Sequence, residues 1–82
     1  MSANKSGHRI RVARIMQKPR LTQDDLVARL QLAGLFISKN TLSRIEIGDR
    51  YVTDLELSIF AKVLKLSTAW LLEETNDPAA KG

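Results

Sequence analysis

The chain has 82 residues, one domain's worth, and its 44% apolar content is that of a globular protein rather than a disordered one. A domain of this size buries a little over ~60% of its unfolded surface, which argues against a deep enclosed catalytic cavity. It has no Cys, which excludes disulfides, iron–sulfur clusters and zinc fingers, and its net charge is +4.

The first predicted element is a helix over residues 7–17, with Ile10, Ala13 and either Val12 or Ile15 on its apolar stripe. Pro19 stops it, because proline lacks the N–H and disfavours helix in the residue before it. The second helix starts at Thr22, where Gln23, Asp24 and Asp25 follow: a hydroxyl with an acid three residues on resembles a capping box. Leu26, Val27 and Leu30 recur at helical spacing, and Gly34 is a natural terminator. Ser38 caps the third helix and Gly48 ends it. Thr53-Asp54-Leu55-Glu56 opens the fourth as a full capping box, with Leu57, Phe60, Ala61 and Leu64 as its core face. A short fifth helix follows Ser67, with Trp70 and Leu71 as anchors. Alternating runs are too short for strands, so the fold class is all-α.

The charge is unevenly placed. Residues 1–20 hold Lys5, Arg9, Arg11, Arg14, Lys18 and Arg20 with no acid, whereas residues 51–82 have three bases against five acids. A solvated basic face would look the same in composition, but this asymmetry suits an oriented polyanion partner. The longest apolar run, residues 33–37, is far short of the ~20 needed to span a membrane. The N-terminus lacks the apolar core of a signal peptide. A cytoplasmic protein with no membrane contact is the expectation.

On a helical wheel, residues 39–47 put Leu42 and Ile45 toward the core. Asn40, Ser43, Arg44 and Ile47 face the other way, with Lys39 at the N-terminal edge. That face suits base edges: Arg can donate two bonds to guanine O6 and N7, and Asn can pair with adenine N6 and N7. Ser38 and Thr41 can reach phosphates or a thymine methyl. Glu46 lies beside Leu42 at the margin of the buried stripe, where a carboxylate needs a partner.

Two segments, Leu21-Thr22-Gln23-Asp24-Asp25-Leu26 and Ile37-Ser38-Lys39-Asn40-Thr41-Leu42-Ser43-Arg44-Ile45-Glu46-Ile47-Gly48, resemble the lambda-repressor-like (Cro-type, XRE) helix-turn-helix family. Gly7-His8-Arg9-Ile10-Arg11 with Arg14 is similar to that family's first helix, and the last two helices have counterparts as well. The resemblance covers residues 7–72. It implies a compact five-helix domain whose second and third helices form the DNA-binding unit. Lys39, Asn40, Ser43 and Arg44 would then read bases. Gln23 would meet the phosphate backbone, with Thr22, Ser38, Thr41, Lys5 and Arg9 as further phosphate contacts. Arg14 and Glu46 match a pair that joins the first helix to the third. The chain departs from the family's tight turn: residues 31–36 intervene, so either the second helix is longer or the turn is looped out. The connection after the first helix, Lys18-Pro19-Arg20, also looks about two residues longer.

The expected organisation is a flexible basic arm over residues 1–6, the domain proper over 7–75, and a disordered tail over 76–82. Catalysis is not expected. The single His, His8, has no triad partners, and no metal cluster or phosphate-cradling loop can be assembled, so no cofactor or metal is implied. The expected partners are double-stranded DNA, a second copy of the chain and a protein co-regulator. The self-association surface would lie around the fourth and fifth helices, where Leu71 and Leu72 exceed what one thin core can hide. A protein-interaction module of the same fold, such as an antitoxin or adaptor, is the alternative; it would have no need of an acid-free basic first helix.

Overall fold

The computed structural model describes residues 6–78. Its elements are α1 (Gly7–Met16), α2 (Gln23–Leu32), α3 (Lys39–Glu46), α4 (Asp54–Leu64) and α5 (Thr68–Leu71). No described residue is in a strand.

The start signals act as the side-chain chemistry requires. The Thr22 hydroxyl accepts the Asp25 N–H while the Asp25 carboxylate accepts the Thr22 N–H, both at 3.0 Å. Hydrogen bonding to its carboxylate from the Thr22 backbone, and then from the Thr22 side chain, holds the Asp25 carboxyl below the usual carboxylate range. Thr53 and Glu56 repeat the reciprocal box at α4, and Ser38 and Ser67 cap α3 and α5.

The apolar faces converge on one core. Ile10 and Ala13 of α1, Leu26 and Leu30 of α2, and Leu42 and Ile45 of α3 meet Leu57, Phe60, Ala61 and Leu64 of α4. Trp70 and Leu71 close it from α5. Helix α1 packs on α3, α4 and α5, and α2 packs on α3 and α4. Leu21, in the connection before α2, is buried as well.

The long connection is looped out. Helix α2 ends at Leu32, and the Leu35 N–H bonds back to the Leu30 carbonyl at 2.8 Å while the Gly34 N–H bonds to Gln31. This terminator needs a residue at positive φ, and Gly34 supplies it at 98°. Leu35 and Ile37 then pack against the core, which ties down both ends of the connection to α3.

One expectation is corrected. Leu71 is fully buried, so it is a core residue and no part of a self-association surface; only Leu72 beside it is exposed. In the segment after α5, Asn76 accepts from Arg9, and the Pro78 carbonyl accepts the Ser67 N–H at 2.9 Å. Ser6 is buried at the start of α1, with its carbonyl on the Ile10 N–H.

Candidate nucleic-acid interface

The α3 helix is held from behind by charge. Glu46 accepts from Arg14 Nε at 2.8 Å, Arg14 Nη2 at 3.0 Å and Gln23 Nε2 at 3.2 Å. Arg14 also donates to the Leu21 carbonyl at 2.9 Å. The two charged side chains are 11% and 2% exposed, so a fork-on-carboxylate bond sits almost wholly out of water. One carboxylate therefore ties α1, the start of α2 and the end of α3 together.

Gln23 stands first in α2, as the sequence suggests, but its side chain turns inward to Glu46. Its amide has a second N–H, which remains available as a donor. Thr22 is exposed beside it.

The opposite face of α3 is open. Lys39, Asn40 and Arg44 are exposed, and Ser43 is half-buried. Ile47, just past the helix, is exposed too. Two of the cations carry a carboxylate partner: Lys39 Nζ lies 3.4 Å from Asp24 Oδ2, and Arg44 Nε lies 3.2 Å from Asp49 Oδ2. At the N-terminus of α3, Ser38 accepts the Thr41 N–H and donates to Thr41 Oγ1, leaving the Thr41 hydroxyl proton to donate outward. Eight residues at ~1.5 Å each make α3 about 12 Å long, a length that fits within the major groove.

Arg9 is used differently. Its guanidinium stacks 4.8 Å from the Trp70 ring centroid and donates to the Trp70 and Thr75 carbonyls and to Asn76 Oδ1. These bonds commit it to the C-terminal segment. Lys5 lies outside the described residues. Sequence reasoning also missed the Arg50–Glu56 pair at 3.0 Å, which braces the connection between α3 and α4. It missed the carboxylate partners Asp24 and Asp49 as well. Nothing in local spacing signals these contacts, since each depends on how the chain turns.

An all-helical domain with a short polar helix, presented outward and braced by the helix before it, defines a helix-turn-helix DNA-binding domain. A family model described as helix-turn-helix matches residues 10–71, and the chain belongs to that family, in its lambda-repressor-like (XRE) form. No curated protein and no solved structure matches the chain. Among the described residues, no helix is long and apolar enough to cross a membrane.

Proposed function

We propose that this domain is a sequence-specific regulator of transcription, acting as a repressor in the cytoplasm, that reads the major groove with Lys39, Asn40, Ser43 and Arg44. The observation that carries this reading is the open polar face of α3, set on a helix whose other face is locked to the core. Thr22, Gln23, Ser38 and Thr41 stand at the N-termini of α2 and α3, where backbone N–H groups favour a phosphate. Lys5 adds a further phosphate contact. Arg9 is left out of this set, because three of its five N–H donors are engaged by the C-terminal segment. A homodimer on a two-fold operator doubles a small set of base contacts.

Gel shifts with Arg44→Ala and Asn40→Ala test the reading. Each variant loses about 1–3 kcal/mol at its own base pair and relaxes specificity there. If both bind specific and random duplexes like wild type, α3 is not the reading helix. Exposed Leu32 and Phe36, at the end of α2 and just after it, favour a second reading in which a protein co-regulator docks there. An antitoxin or adaptor would use such a contact without DNA.

A further inference from the structure

Arg44 is tied to Asp49 at two points. Its Nε donates to Asp49 Oδ2 at 3.2 Å, and its carbonyl accepts the Asp49 N–H at 2.9 Å. The backbone bond belongs to the α3 terminator, in which Gly48 at φ 83° turns the chain so that Asp49 returns alongside Arg44. The carboxylate is thus placed by the fold.

A guanidinium is a rigid plane with two usable forks, one between the terminal nitrogens and one between Nε and a terminal nitrogen. Asp49 occupies Nε. The fork left open is Nη1/Nη2, the end that projects furthest from the helix. We propose that Asp49 is a specificity-determining positioning residue: its carboxylate holds the Arg44 guanidinium so that this end fork meets the guanine edge. The inference rests on Arg44 being a base reader, as proposed above. A side chain held in its bound orientation has less rotamer freedom to lose on binding. The carboxylate also offsets part of the cation's charge and repels nearby phosphate, so Arg44 becomes a poorer general clamp and a better directional donor. Discrimination gains where bulk affinity falls. Lys39 and Asp24 do not form an equivalent pair, because an ammonium is a point charge with no fork to aim.

The pair is well exposed, 54% and 62%, so it adds little to folding and its variants keep the wild-type melting temperature. The test is selection from a pool of duplexes with a randomised central segment, run with wild type, Arg44→Ala, Asp49→Ala and Asp49→Asn. A mixed-sequence duplex measures general affinity. Both Asp49 variants bind that duplex more tightly than wild type and by the same factor, having lost the same charge. At the position that Arg44→Ala flattens, Asp49→Ala loses base preference by about threefold, within what a solvent-exposed ion pair can contribute. Asp49→Asn retains most of it, because the amide oxygen still accepts from Nε.

Wild-type preference at that position in Asp49→Ala would overturn the inference and leave the proposed function standing. Equal loss in both Asp49 variants would also overturn it, by making the effect one of charge alone. If Arg44→Ala flattens no position, the assignment of Arg44 as a reader fails and takes the inference with it. If wild type selects no preference at all, sequence-specific binding itself fails.

Discussion

Glu46 shows how much of this domain can hang on one side chain. Its carboxylate receives three hydrogen bonds from two other elements, almost out of water. Removing one partner leaves the other charge buried and uncompensated. Arg14→Ala and Glu46→Ala are each expected to cost about 3–5 kcal/mol, a large share of the roughly 5–15 kcal/mol that folded domains possess. The double variant loses clearly less than the sum, as a denaturant-melt cycle will show. Gln23→Ala removes a single bond and costs about 1 kcal/mol. Glu56 gives a second residue-scale expectation. Burial pushes its carboxyl up, but the hydrogen bonds from Arg50 and from the Thr53 N–H outweigh burial and leave it below the ordinary glutamate value. The folded state therefore binds this proton less readily than the unfolded state. Its contribution is fully present above the unfolded value, about 4.3, and is lost as pH falls through the lower folded value. Stability measured down the acid limb should fall less steeply in Glu56→Gln than in wild type.

At the scale of the element, four of the five helices end in the same bond pattern, and they differ in what they place at its left-handed position. Gly34 and Gly48 fill it after α2 and α3, at φ 98° and 83°. Lys65 and Glu73 fill it after α4 and α5, at φ 59° and 63°. An L-residue there works against the contact between its Cβ and the following carbonyl, at a cost of about 1 kcal/mol. Lys65→Gly is therefore expected to stabilise the domain by up to about 1 kcal/mol, less the backbone entropy that glycine adds to the unfolded chain. Gly34→Ala should destabilise by about 1 kcal/mol. No atom lies within 4 Å of the added Cβ, so its loss comes from the backbone alone. Urea melts of the two variants should move in opposite directions.

The whole domain measures 30 × 28 × 21 Å between Cα atoms. With side chains added it is about as wide as the ~34 Å that separates reading helices in helix-turn-helix dimers. Two copies can therefore lie side by side on one face of the duplex. We expect ultracentrifugation to find two protomers per duplex at saturation; one protomer with a non-palindromic footprint would rule the dimer out. Leu55 and Leu72, both exposed, remain as apolar side chains on or next to α4 and α5 once Leu71 is assigned to the core. Arg9 fastens residues 70–76 onto α1 through its ring stack and three hydrogen bonds. Arg9→Ala should speed amide exchange in residues 72–77 while leaving binding to mixed-sequence DNA unchanged. A weakened affinity with unaltered exchange would instead return Arg9 to the phosphate contacts.

The sequence by itself determined the five helices, their caps and the outward face of α3. Those properties depend on residues three or four positions apart, a range over which Thr22 and Asp25, or Leu42 and Ile45, necessarily meet once a helix forms. The family resemblance supplied the Arg14–Glu46 pairing, and periodicity asked for a partner at Glu46. Tertiary structure decided what the long-range side chains do. Arg9 and Lys5 look alike in a basic N-terminal stretch, yet Arg9 is drawn to Trp70 and Asn76, more than 60 positions away, because α5 packs against α1. Leu71 and Leu72 are identical neighbours, and only the direction in which α5 meets the core buries one and leaves the other exposed. The choice between a longer α2 and a looped connection fell to Gly34, whose left-handed turn lets Leu35 and Ile37 reach the core instead of extending the helix into solvent.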